Sequence, residues 1–145
     1  MRRIWMIAGL WMLATACHAQ EHSVLGQWMT PAGAIVAVYR CDSSVCARLI
    51  ALDKQAPTRV DANDPNAALR TRSLCGLQIG RGFHLVDSAH AEDGELYDPK
   101  SGKTYSGFME LDGDRLKLRG YVGIKLFGRT EMWDRVRGDV PACSP

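Results

Sequence analysis

From Gly26 onward, apolar and polar side chains alternate with a period of two in short bursts, separated by glycine, proline, asparagine and aspartate. A half-buried strand imposes that period, because successive side chains leave opposite faces. Gly26 to Thr30 predicts a first short strand, turned by Pro31-Ala32-Gly33. Ala34 to Cys41 (AIVAVYRC) and Cys46 to Asp53 (CARLIALD) are rich in β-formers and predict a hairpin with Asp42 to Val45 as a four-residue loop. Folded so, Ile35, Ala37 and Tyr39 share a face with Arg48, Ile50 and Leu52, while Val36, Val38 and Arg40 share the other with Ala47, Leu49 and Ala51. Both faces carry apolar residues, so the inward one stays open at this stage.

Lys54 to Leu74 breaks the alternation. Pro57 and Asn63-Asp64-Pro65-Asn66 are turn chemistry, and Ala67 to Arg72 has room for one helical turn. A connection this long in a small domain is either functional or an excursion over an open end. Strand character returns in Leu74 to Ile79 and Phe83 to Val86, ahead of a polar stretch from Asp87 to Glu95.

Tyr97 to Arg135 is the most regular part. After the Pro99-Lys100-Ser101-Gly102 turn, KTYSGFMEL faces RLKLRGYV across Asp112-Gly113-Asp114. Taking Asp112-Gly113 as a two-residue loop sets Leu111 opposite Asp114, Met109 opposite Leu116 and Gly107 opposite Leu118. Tyr105, Met109, Leu111, Leu116, Leu118 and Val122 then form one buried face. Glu110 falls opposite Arg115 and Phe108 opposite Lys117 on the outer face, which also takes Arg119 and Tyr121. The last strand spans about Arg129 to Val136. The fold class is all-β: a single antiparallel, up-and-down barrel of about eight or more strands, with one long loop that has room for a short helix.

Residues 1–19 read as a signal peptide and 20–145 as the barrel domain. Arg2 and Arg3 make a positive start, Ile4 to Ala16 is a short apolar core, and Cys17-His18-Ala19 resembles a small-x-small cleavage site. The apolar run is too short to span a bilayer. An alternative is that Leu13-Ala14-Thr15-Ala16-Cys17 serves as a lipobox, so membrane association is expected only if Cys17 is lipidated. The formal charge of +2 resides in Arg2 and Arg3, so the domain without its leader is near neutral. That excludes a protein gripping nucleic acid through phosphate neutralisation. Beyond the leader remain Cys41, Cys46, Cys75 and Cys143. An even cysteine count in an exported domain favours disulfides. Cys41 with Cys46 is expected across the hairpin, and Cys75 with Cys143 follows by elimination. The expected location is periplasmic or secreted.

Gly26-x-Trp28 on the first strand, with an arginine on the last, resembles the lipocalin and fatty-acid-binding pattern. In lipocalins the tryptophan plugs the barrel floor and an arginine packs over it, a part open to Arg135 or Arg129. More of the chain is similar to an exported bacterial family catalogued as domain of unknown function 2147. The resemblance rests on Gly26-x-Trp28, the Cys41 to Cys46 hairpin with Arg48-Leu49-Ile50, Asp61-x-Asn63, Leu69-Arg70-x-Arg72 with Cys75-Gly76-Leu77, and Tyr97-Asp98-Pro99-x-Ser101-Gly102-x-x-Tyr105. It continues through Leu116-Lys117-x-Arg119-Gly120-Tyr121-Val122-Gly123, Leu126-Phe127-Gly128-Arg129-Thr130 and Trp133. Ala47 departs from the glycine usual after the second cysteine. The resemblance implies a lipocalin-like barrel and export, and no established reaction.

The candidate ligand-binding residues are Trp28, Tyr105, Arg119, Tyr121 and Trp133, aromatic and basic groups suited to a cavity with a few polar anchors. Simple core filling is the competing reading, since small barrels are often packed solid. A second set, Asp61, Asn63, Arg70 and Arg72, lies on the long excursion. Those arginines suit an anion or a headgroup, or they pair with Asp61 to pin the loop. The Asp61 to Asn66 run lacks the glycine of a calcium loop, and the histidines lack zinc spacing. No metal, cofactor or catalytic residue is expected, and the chain is read as not an enzyme. The leading expectation is an envelope protein holding a small apolar or amphipathic molecule in a barrel cavity. The alternative is a filled barrel that works through its surface loop as an interaction or stress protein.

Overall fold

The computed structural model describes residues 22–141 and residue 143. The predicted leader, 1–19, and the lipidation alternative at Cys17 lie outside the described residues. Eight antiparallel strands follow one another in a closed barrel: β1 (Gly26–Met29), β2 (Ile35–Cys41), β3 (Ser44–Ala51), β4 (Gln78–Asp87), β5 (His90–Asp98), β6 (Lys103–Asp112), β7 (Arg115–Tyr121) and β8 (Gly128–Arg135). Each strand pairs with its successor, and β1 closes on β8 through Trp28↔Arg135 and Met29↔Asp134. The long connection carries only a short 3-10 turn, Ala67–Leu69, capped by the Asn66 side chain on the Ala68 N–H.

Inward residues come from the expected alternation. Val36, Val38, Ala47 and Leu49 point into the core, which settles the face of the first hairpin, and Met109, Leu116 and Leu118 do so in the third. Both registers differ from expectation by two residues. Cys41 pairs with Ser44 around an Asp42-Ser43 turn, so Tyr39 opposes Cys46; Leu111 pairs with Leu116 around Gly113-Asp114, so Met109 opposes Leu118. A shift of two keeps every side chain on its face, and only the cross-strand neighbours change. Asp42 takes a left-handed φ of 51°, which lets a two-residue turn replace the four-residue loop.

Three further expectations are corrected. Asp87 to Glu95 is not a polar connection, because all but the Ser88-Ala89 turn belongs to β4 and β5. Its polar look arises because outward positions there are charged and Gly94 stands at an inward one. Phe83 lies flat across Gly94, where any Cβ would run into the ring, so glycine makes room for the aromatic that fills the barrel. Leu74 is buried from the loop rather than from a strand, and Val122 lies beyond the end of β7, 70% exposed. Ala47 is fully buried with its Cβ against Gly80, where a second Cβ would sit only 2.8 Å away.

One end of the barrel is closed by packing. Val24 and Trp28 are fully buried there, the Trp28 indole N–H donates to the Val24 carbonyl (2.9 Å), and the Val24 N–H donates to Ser88 (2.8 Å). The Arg135 guanidinium stands 4.0 Å over the Trp28 ring and donates to the Ser23 carbonyl at 2.7 Å. Arg135, not Arg129, therefore covers the tryptophan. The Cys41–Cys46 and Cys75–Cys143 bonds are both formed, each with Cα atoms 5.8 Å apart. The second ties the C-terminal segment to the long loop, and the Cys143 N–H also donates to the Ile50 carbonyl of β3.

Candidate functional site

The other end is hollow. A cavity of about 1130 Å³ opens between the Thr30–Ala34 turn, the long β3–β4 connection, the Pro99–Gly102 turn and the β7–β8 loop. Its wall is largely apolar, with Leu49, Leu74, Ile79, Leu96 and Leu118 among the lining residues. The asymmetry follows from where the large side chains stand. Trp28, Phe83 and Met109 crowd the closed half, whereas Gly120 faces the open half.

The five residues expected to bind a ligand divide into three locations. Tyr105, Tyr121 and Trp133 line the cavity. Trp28 lies fully buried beneath Arg135 in the packed end. Arg119 is on the outer wall, where its guanidinium donates to Lys125 O (2.8 Å), Leu126 O (3.0 Å) and Thr130 Oγ1 (2.7 Å). It thereby clamps the β7–β8 loop to the barrel.

Sequence reasoning missed the polar row of β8. Leu116, Leu118 and Gly120 oppose Trp133, Glu131 and Arg129, so these three share the inward face and all line the cavity. The Trp133 indole N–H donates to Glu131 at 2.9 Å, which occupies the carboxylate. Among the described residues none pairs with the Arg129 guanidinium, which stands near the mouth. Counting back in twos from Trp133 would have found it.

The rim set forms a lock. Asp61, fully buried, accepts from Arg72 Nε (2.9 Å), Arg72 Nη2 (2.7 Å) and the Tyr97 hydroxyl (2.7 Å). Arg72 also donates to Asp64 at 2.7 Å, and Arg70 donates to the Asp64 carbonyl at 2.8 Å. Asn63 donates its amide to Pro99 and Lys100 carbonyls, tying the long loop to the β5–β6 turn. Gly102 is required there twice over: its φ is 68°, and a Cβ would strike the Asn63 carbonyl. Burial first, and then the hydrogen bond to Asp61, push the Tyr97 phenol up to about 12. The Asp61 hydrogen bond is also the largest cause of a raised Arg72 pKa, so that side chain stays charged. Asp61, Asn63, Arg70 and Arg72 are thus brought together, with Tyr97 added, as the fastening of the excursion over the mouth.

No curated protein sequence matches this chain. Among solved structures, protein HP1028 from the human pathogen Helicobacter pylori, described as belonging to the lipocalin family, is similar with a TM-score of 0.72 at 20% identity, over 79% of this chain and 84% of that one. At that identity the likeness concerns the fold: a lipocalin-like eight-stranded barrel. Residues 26–135, from the first residue of β1 to the last of β8, match the family model described as "Uncharacterized protein conserved in bacteria (DUF2147)", and the chain belongs to that family.

Proposed function

We propose that this protein is an exported envelope protein that binds a small amphipathic molecule, its apolar part in the barrel cavity and an anionic end at Arg129. The observation that carries the reading is a cavity of about 1130 Å³ with a mainly apolar wall and, near its mouth, the Arg129 guanidinium, which pairs with none of the described residues. Apolar volume with a few placed polar groups is how small-molecule sites are ordinarily built, and arginine suits a carboxylate or sulfonate. Tyr105 and Tyr121 add hydroxyl groups to the wall, while Glu131, held by Trp133, gives the mouth a local negative charge that sets the anionic group beside Arg129 rather than deeper. Two disulfides support an oxidising compartment, periplasmic or extracellular.

Titration with anilinonaphthalene sulfonate, an anionic apolar probe, tests the reading. Wild-type protein should give saturable fluorescence enhancement, and Arg129→Gln should weaken it by about tenfold, the scale of one charge-assisted contact. Unsaturable binding, or equal affinity in the variant, would refute the role of Arg129.

A further inference from the structure

The β7–β8 loop exposes four apolar side chains in six residues: Val122 (70%), Ile124 (56%), Leu126 (75%) and Phe127 (72%). A contiguous exposed patch of this kind marks a protein or membrane contact rather than ordinary surface. The loop is held to the barrel by Arg119, and Lys125 reaches back over the Phe108 ring at 5.4 Å and toward Glu92 at 3.8 Å. The apolar side chains are therefore presented from an anchored backbone. Val122 and Phe127 also line the cavity mouth, so the patch is continuous with the cavity wall.

Charge is distributed unevenly along the barrel axis. The mouth loops carry Lys54, Arg59, Arg70 and Lys100 exposed. Of the acids around the mouth, Asp61 and Asp64 are buried and bridged by Arg72, leaving half-buried Asp53 and Asp98 and exposed Glu131 against these four bases and Arg129. The turns at the closed end hold Asp42 and Asp114, each flanked by an exposed arginine, Arg40 and Arg115, and Arg135 covers Trp28 there, so acids and bases offset one another. The excess of solvent-exposed base in this near-neutral domain thus sits at the mouth, beside the apolar loop.

We propose that the mouth docks on an anionic phospholipid surface, with Val122, Ile124, Leu126 and Phe127 entering the interface and the ring of Lys and Arg meeting the headgroups, so that an amphipathic ligand passes between bilayer and cavity without crossing water. Apolar insertion and attraction to anionic lipid are the two terms that bind peripheral proteins, and both are present on this one end. The docking rests on the ligand-binding reading only for what crosses the mouth.

The test is co-flotation with phosphatidylglycerol/phosphatidylcholine vesicles, using the full chain exported with its own leader and carrying Cys17→Ser to exclude acylation. Wild-type protein should float with the anionic vesicles and be released by high salt, while pure phosphatidylcholine captures little. Ile124→Ser with Leu126→Ser, at positions away from the cavity wall, should reduce partitioning by about tenfold, since binding scales with inserted apolar area. That double variant should take up anilinonaphthalene sulfonate as wild type does, which separates failure of docking from failure of the cavity reading. No flotation, or flotation unchanged in the double variant, would overturn the proposal. So would a dimer in analytical ultracentrifugation that the double variant dissociates, because the patch would then be covered by a second copy.

Discussion

Asp61 is fully buried and accepts three side-chain hydrogen bonds, from two nitrogens of Arg72 and from Tyr97. A buried carboxylate is tolerated when its oxygens are paired in this way, and removing a partner leaves an uncompensated charge. Tyr97→Phe keeps the ring and removes one donor, so it should cost about 1–2 kcal/mol in denaturant unfolding. The same substitution has a pH signature. Because the phenol is pushed up to about 12 by burial and by Asp61, the folded state keeps its proton where the unfolded chain releases it. Stability from this group is complete below about pH 10, the ordinary tyrosine value, and is lost as pH rises through about 12. Spectroscopic titration of tyrosinate should show a late transition in wild type that Tyr97→Phe lacks, and its persistence in the variant would contradict the assignment. Pairing of Asp61 with Arg72 was legible in the sequence, whereas Arg70, expected to share it, bonds the Asp64 carbonyl instead. The part of Tyr97 was not, because the residues of the lock are up to 36 positions apart and meet only after the barrel closes.

Among the elements, the β7–β8 loop depends on one outer residue. Arg119 bonds two of its carbonyls and Thr130, yet belongs to neither the packed floor nor the cavity wall. Arg119→Ala should therefore raise amide hydrogen exchange across residues 122–127 while global unfolding stays within about 0.5 kcal/mol of wild type. A large global loss would mean that the residue supports the barrel itself. Strand existence was legible from alternation except at β5, and so were the faces of β6 and β7 as far as Leu118, because a face repeats every two residues. The first hairpin, apolar on both faces, hid its inward one, and Tyr121, expected outside, lines the cavity. Turn position was not legible. Asp42-Ser43 in place of Asp42 to Val45, and Gly113-Asp114 in place of Asp112-Gly113, each moved a register by two, a change that alternation cannot detect. β5 escaped notice because an inward glycine beneath Phe83 interrupts the apolar period.

For the whole molecule, the decisive property is the contrast between a packed end and a hollow one. Gly26-x-Trp28 made the floor readable in the sequence, since a tryptophan on the first strand with an arginine on the last describes a plug. The cavity was not readable, because its volume depends on which inward positions hold small residues at the same height in eight different strands. Gly120 offers direct control of that volume. It faces the cavity with an ordinary negative φ, and an added Cβ would meet Tyr105 Cβ at 3.5 Å, a normal contact. Gly120→Leu should fill part of the cavity without strain at the backbone.

The central claim is that the hollow end holds a ligand. Native mass spectrometry of the protein recovered from its own periplasm measures this directly. The account predicts a mass excess from a small amphipathic molecule in wild type, reduced or absent in Gly120→Leu at unchanged fold. Protein that is consistently empty, and that takes up no fatty acid or lipid when these are supplied, would contradict it.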